Sequence, residues 1–279
     1  LSTKYNTVSL DINKLITRAY STSFFHAARR LKPEMRYAIY SIYGFVRLAD
    51  EIVDTFHEHN KKNLLEEFEI DYYKAYNAGI SLNPVLHAFQ QVVKKYNITD
   101  DLIHAFLQSM KYDLHETDYS EKTKIDKYIH GSAEVVGLMC LKVFTDNNDI
   151  LYNELKDPAM KLGSAFQKIN FLRDLKNDME YLGRNYFPLK KIEDFNETTK
   201  EIIIANIEND FSSSLTGIRK LPGKVKLPVL TAYYYNRRLL KKISHTPANE
   251  IIHKRIRISN FRKILLYIKA FIACKINYI

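Results

Sequence analysis

Residues 36–56 read RYAIYSIYGFVRLADEIVDTF. The stretch is apolar and aromatic almost throughout, which predicts a helix built for burial. Yet Asp50 and Asp54 stand four residues apart on one face, with Glu51 beside them. Like charges at that spacing repel by roughly 0.2–0.5 kcal/mol even in water. Carrying them into a core costs far more unless something positive meets them. One Asp pair near an arginine, here Arg47, is most often a surface salt-bridge network. The rest of the chain has to say what the positive partner is.

A second acidic strip lies at residues 166–188, FQKINFLRDLKNDMEYLGRNYFP. Read as a helix, it stacks Asn170, Asp174 and Asp178 at i, i+4 and i+8, with Gln167 one turn earlier. Ile169, Phe171, Leu172 and Leu175 cover the other sides, so this is not simply a polar outer surface. Two opposed carboxylate strips repel strongly when empty. A hard divalent cation resolves this: Mg²⁺ takes oxygen ligands, typically one or two carboxylates together with substrate phosphates. Neither strip holds cysteine or histidine, which argues against zinc. Arg47, Arg173 and Arg184 make little sense around a bare cation and good sense around a cation–phosphate complex. The residues therefore suggest a site where Mg²⁺ bridges protein carboxylates to a diphosphate.

The remaining composition fits a helical chain. Of 279 residues only 8 are Gly and 7 Pro, well under the roughly 12% of average usage. Asn83-Pro84, Asp157-Pro158 and Thr246-Pro247 each pair a helix-capping residue type with proline, predicting helix starts. Gly79 and Gly183 mark helix ends. The expected architecture is all-α, a single domain over residues 1–279. It has about ten helices and irregular segments near 118–125, 184–197 and 220–228. Two cysteines, Cys140 and Cys274, make no disulfide framework, and the polar opening LSTKYNTVSLDINK shows no signal peptide. A cytoplasmic location is expected, peripheral on the inner face of a membrane.

Net charge is +10 and concentrated at one end. In the basic region 251–279 no acid follows Glu250, while Lys254, Arg255, Arg257, Arg262, Lys263, Lys269 and Lys275 do. Such a tail suits anionic lipid, nucleic acid or a polyanionic substrate. No nucleic-acid motif accompanies it, so nucleic acid is not an expected partner. The apolar run ILLYIKAFIAC (264–274) is too short to span a bilayer, which takes about 20 residues. It reads equally as a final helix docked on the core and as one lying on a membrane.

Together these motifs resemble the squalene and phytoene synthases, the head-to-head isoprenyl diphosphate synthases, over nearly the whole chain. YSTSFFHAARRL (20–31) resembles the family's N-terminal serine–phenylalanine segment. YGFVRLADEIVD (43–54) resembles its first Asp-rich motif, and YIHGSAEVVGLM (128–139) its mid-chain helix. Residues 166–188 resemble the second Asp-rich motif with an Arg-x-Tyr-x-Pro exit, and HKRIRISNFRKI (253–264) the C-terminal arginine stretch. The ensemble is most similar to bacterial phytoene synthases. Two positions depart from the pattern: Glu51 stands where many members have Asp, and Glu134 where many have Gly. The second departure bears on local packing.

The resemblance implies an isoprenoid-synthase-type helical bundle in which the two Asp-rich helices face each other across a central cavity. It implies that Asp50, Asp54, Asn170, Asp174 and Asp178 hold Mg²⁺ and diphosphates, supported by Gln167. It places Ser21, Ser23, Phe24, Tyr43, Arg47, Tyr128, Arg173, Arg184, Tyr235 and Arg255 at positions that contact diphosphates or shape the site. Within YYYNRR the match to Tyr235 allows a slip of one residue. Simpler readings stand beside these: a serine capping a helix, core tyrosines with satisfied hydroxyls, and His26, His115 and His130 as structural residues. The implied reaction joins two geranylgeranyl diphosphates through a cyclopropyl diphosphate to phytoene, in carotenoid biosynthesis. A C15-using synthase making squalene or dehydrosqualene is the alternative. Squalene synthases reduce the last cation with NADPH, and no glycine-rich dinucleotide fingerprint is present, although this fold would not use one. A non-catalytic membrane-associated assembly protein of the same fold is a further alternative, but it would be expected to lose the Asp residues kept here.

Overall fold

The computed structural model describes residues 3–187, 189 and 191–276. Pro188 of the Arg-x-Tyr-x-Pro exit and the last three residues of the basic region lie outside the described residues. The α-helices run in chain order: α1 Lys4–Tyr20, α2 Thr22–Ala28, α3 Pro33–Asp54, α4 Lys61–Ala78, α5 Pro84–Lys95, α6 Asp100–Tyr112 and α7 Lys122–Ile129. They continue with α8 Val135–Thr145, α9 Asp149–Lys176, α10 Glu197–Lys220, α11 Gly223–Ser244, α12 Ala248–Ile251 and α13 Asn260–Lys275. The count exceeds ten because α2, α7 and α12 are short pieces. Among the described residues the only β pairing is an isolated bridge between Asp118 and Asn185.

Helix α3 is the organising element, packing against α1, α4, α5 and α8. Ala38, Ile42, Phe45, Ala49 and Ile52 recur every three or four residues and are all buried. Phe45 is fully buried and stacks on Phe89 of α5 with ring centroids 3.9 Å apart. A side chain of that size contributes about 1.5–3 kcal/mol on burial. Tyr43, Arg47, Asp50 and Asp54 share the same spacing but lie on a different side of α3. The helix is thus amphipathic in an unusual sense: one side faces the core and the other a cavity.

Helix α9 packs along α8 and α10. Its approach to the segment before α8 depends on Gly163, where a Cβ would come within 2.7 Å of the Ala133 carbonyl oxygen and 3.3 Å of Glu134 Cα. Glu134 sits in this close-packed segment and pairs its carboxylate with His130 Nδ1 at 3.0 Å.

Two of the three proline pairs precede a helix, and at one of them proline takes the first helical position. Asn83 caps α5, its Oδ1 accepting from the amides of Val85 and Leu86, with Pro84 in the first turn. Asp157-Pro158, by contrast, lies inside α9, which starts at Asp149 under the Asn148 cap. The pyrrolidine ring is accepted because it packs onto Gly217 of α10, where a Cβ would lie 2.4 Å from Pro158 Cβ. Thr246-Pro247 puts proline at the cap itself, one residue before α12. The expected irregular segment at 220–228 narrows to Leu221 and Pro222, because Pro228 is carried inside α11. The segment expected at 118–125 ends earlier, since α7 begins at Lys122. Gly79 and Gly183 do follow helix ends, with φ of 74° and 66°.

Candidate functional site

The carboxyl end of α3 carries the first strip. Arg47 Nη1 donates to Asp50 Oδ2 at 2.9 Å, and its other terminal nitrogen pairs with Glu51. Arg47 Nε is buried and finds no acceptor among the described residues. Asp54 is reached from far along the chain: Arg184 Nη1 donates to its Oδ1 at 2.7 Å. Burial and the neighbouring Asp54 push the Asp50 carboxyl well above the usual carboxylate range, against the pull of Arg47.

The second strip comes from the end of α9 and a wider π turn over Asn177–Tyr181 that continues it. Such turns re-aim side chains and recur at functional sites. Asp174 is held by two arginines. Arg173 Nη2 lies 2.5 Å from its Oδ2, and Arg255 Nε lies 2.7 Å from its Oδ1. Asp178, on the π turn, has its carboxyl pushed up to about 8 by burial and by the charges of Asp174 and Asp54.

Both strips line one cavity of about 1060 Å³. All sixteen residues proposed from the sequence border it: Asp50, Asp54, Asn170, Asp174, Asp178, Tyr43, Tyr128, Ser21, Ser23, Phe24, Arg47, Gln167, Arg173, Arg184, Tyr235 and Arg255. His26, His115 and His130 do not. Ser21 caps α2, accepting from the Phe24 amide at 3.4 Å. Phe24 stacks on Tyr43 with centroids 5.0 Å apart. Of the three consecutive tyrosines, Tyr235 borders the cavity, whereas Tyr233 packs edge-on against Phe211. Away from the strips the walls turn apolar, with Val136, Phe144, Leu162, Phe166 and Ile218 among them.

One residue of the site has no sequence signature. Asp113 follows α6 in the unremarkable run SMKYDLHETDY. It borders the cavity and accepts from the hydroxyls of Tyr128 at 2.6 Å and Tyr119 at 2.9 Å. Its Oδ1 also lies 3.7 Å from Arg184 Nε. Burial pushes its carboxyl up to about 6, although Arg184, Tyr128 and Tyr119 all pull it down. Tyr186, in the second acidic motif, also borders the cavity. It stacks on Phe171 at 4.0 Å and on Tyr128 at 5.3 Å.

The family model described as squalene/phytoene synthase matches residues 17–262. The chain belongs to the squalene/phytoene synthase family. Phytoene synthase 2, chloroplastic, of Zea mays is 25% identical over 272 residues, covering 88% of this chain and 65% of that protein. The chain thus spans just under two thirds of that protein's length. The phytoene synthase of Arthrospira platensis is 23% identical over 282 residues, covering 92% of this chain and 90% of that one. A crystal structure of a dehydrosqualene synthase in complex with ligand superimposes with a TM-score of 0.83 at 20% identity, covering 97% and 98% of the two chains. At that identity the likeness is one of fold.

The squalene/phytoene synthases are prenyltransferase-type enzymes, and the donor set here suits a cation partner. Asp50, Asp54, Asn170, Asp174 and Asp178 offer oxygen alone, as a hard divalent ion requires. Burial first, and the neighbouring aspartates second, hold the Asp50 and Asp178 carboxyls above the usual carboxylate range despite the arginines, and a cation beside them would favour their charged form. Among the described residues no three Asp, Glu, His or Cys side chains converge tightly enough to cage an ion by themselves.

Proposed function

We propose that this member of the squalene/phytoene synthase family carries out the Mg²⁺-dependent head-to-head condensation of two geranylgeranyl diphosphates to phytoene. The carrying observation is one cavity that pairs two arginine-bearing carboxylate strips with a long apolar wall. The polar end suits diphosphates and the apolar end prenyl chains. Relatives named phytoene synthase, matched over most of this chain, support the C20 choice. So does Ala28, a small residue bordering the cavity beyond Phe24. We read the chain as one synthase domain, with the contiguous core supporting that view.

Mg²⁺ bound between the strips would stabilise charge developing on a departing diphosphate. The protein's own groups do the rest. Arg47, Arg173, Arg184 and Arg255 are tied to carboxylates in this structure and would present their donors to phosphate oxygens. The Tyr128 hydroxyl donates to Asp113 at 2.6 Å, which holds its ring in place at the cavity wall. Phe171, Tyr128 and Tyr186 stack on one another and border the cavity, and their exposed ring surface would favour an allylic cation held there. The apolar walls keep water from that cation.

The test is incubation with Mg²⁺ and geranylgeranyl diphosphate, then with farnesyl diphosphate, and extraction of the hydrocarbon. Phytoene from the first substrate at the higher kcat/KM supports the proposal. Squalene or dehydrosqualene from the second at the higher kcat/KM selects the C15 reading. No hydrocarbon from either rejects both.

A further inference from the structure

Helix α13 is built inside out. Its inward face is small: Ala270 and Ala273 are the residues it buries. Leu266 and Tyr267 are half-buried, and its other large apolar side chains point the other way. Phe261 is 71% exposed, Ile264 58%, Leu265 41%, Ile268 45%, Phe271 43% and Ile272 50%. Their spacing at i, i+3, i+4, i+7, i+10 and i+11 gathers them on one face, opposite the two alanines. Scattered exposed apolar residues are ordinary, but a contiguous stripe marks an interaction surface.

The charge around the stripe selects the partner. Arg262 and Lys269 flank it and are exposed, and Lys275 is exposed at its end. No acid occurs after Glu250. Helix α11, on which α13 packs, ends in a basic recess of about 340 Å³ lined by Arg238, Lys241, Lys242, His245 and Thr246. Lys242 Nζ donates to the Arg257 carbonyl at 2.9 Å, which joins that recess to the segment leading into α13. A twofold dimer through this face would set the same cations against their own copies. An anionic bilayer meets both features at once. Acyl chains take the stripe and headgroups the flanking cations, whose stems can reach up to the headgroup layer. The helix is about 24 Å long, and among the described residues no helix is long and apolar enough to cross a membrane.

We infer that the outward face of α13 lies in the surface of an anionic membrane, with the basic recess of α11 as a second headgroup contact. The first turn of α13 also borders the cavity, through Asn260 and Lys263. Those two residues lie on the side of α13 away from the stripe, so docking sets this end of the cavity one helix diameter, roughly 10 Å, from the bilayer surface. The inference is independent of which prenyl diphosphate is the substrate, because binding can be read without any.

The test is co-sedimentation of the full chain with vesicles of phosphatidylglycerol and phosphatidylcholine, and with phosphatidylcholine alone, at low and high salt. The expected result is binding to the anionic vesicles that weakens with salt, and an at least tenfold loss for the double variant Ile268→Asp, Phe271→Asp. The milder pair Ile268→Gln, Phe261→Gln should lose binding partly, and Ile202→Asp, another exposed apolar position, should not. Arg262→Gln with Lys269→Gln should reduce the preference for anionic over neutral vesicles. Thermal melting confirms that each variant is folded. Equal binding of folded wild type and either stripe variant would overturn the inference. So would the absence of vesicle binding together with a homodimer that the stripe variants dissociate.

Discussion

At the scale of single residues, the two aspartates of the second strip should not respond alike to mutation. Asp178 has a folded pKa of about 8 against an ordinary 3.8. A raised carboxyl pKa means that the folded state holds the proton more tightly than the unfolded state. Its contribution to stability is therefore full below about pH 4 and is lost as pH rises toward 8. Metal-free protein should melt at falling temperature across that window, and Asp178→Asn should flatten the slope. At pH 8 the variant should gain roughly 1–3 kcal/mol, since each unit is worth about 1.4 kcal/mol and partial exposure discounts it. Asp174→Asn should show no such gain, because it gives up ion pairs to Arg173 and Arg255. Both variants should lose nearly all turnover. A flat pH profile in the wild type would remove the crowded-carboxylate reading. Chain length should be set at the other end. Ala28 is 4% exposed and borders the cavity. Phenylalanine there would fill the space for the last isoprene unit, and each buried CH₂ is worth about 0.8 kcal/mol. Ala28→Phe should lower kcat/KM for geranylgeranyl diphosphate far more than for farnesyl diphosphate. An equal loss on a folded variant would mean mere overpacking, at roughly 1–3 kcal/mol.

At the scale of elements, what could be read from the sequence depended on whether the signal was local. The strips at 50–54 and 170–178 were legible because i, i+4 spacing converts sequence directly into a shared face. Asn83-Pro84 was legible for the same reason, since a cap is made by its own neighbours. Pro158 misled because its fate is decided by Gly217 on another helix, 59 residues on. Asp113 left no trace because its partners, Tyr119, Tyr128 and Arg184, come from later segments. The widening of α9 into a π turn at Asp178 likewise lies below the resolution of a periodic pattern. Gly163 gives this scale its own prediction. Gly163→Val would drive a side chain into the Ala133 carbonyl, 2.7 Å from where the first carbon would stand. Urea unfolding should show a loss of about 1–3 kcal/mol, with activity falling because Asn170 and Asp174 ride on the displaced helix. An unchanged midpoint would show that α8 and α9 can separate freely.

At the scale of the whole molecule, three long-range pairings hold the polar end together: Arg184 with Asp54, Arg184 with Asp113, and Arg255 with Asp174. Arg184 ties the stretch after α9 to α3 and to the end of α6, and Arg255 ties the stretch before α13 to α9, around the space these elements enclose. A protein interior is normally filled to the density of an organic crystal. Here folding stops short and leaves a half-open cavity of about 1060 Å³. The consequence is mechanical. Unfolding eliminates whatever part of that space, at its apolar end, water leaves empty, so compression favours the unfolded chain in proportion to that part. This protein should yield to hydrostatic pressure more readily than a helical protein of equal length with a solid core. A non-reactive prenyl diphosphate analogue should raise the midpoint pressure by occupying the hollow. Farnesyl and geranylgeranyl analogues compared in this way would measure the cavity by the volume each one displaces.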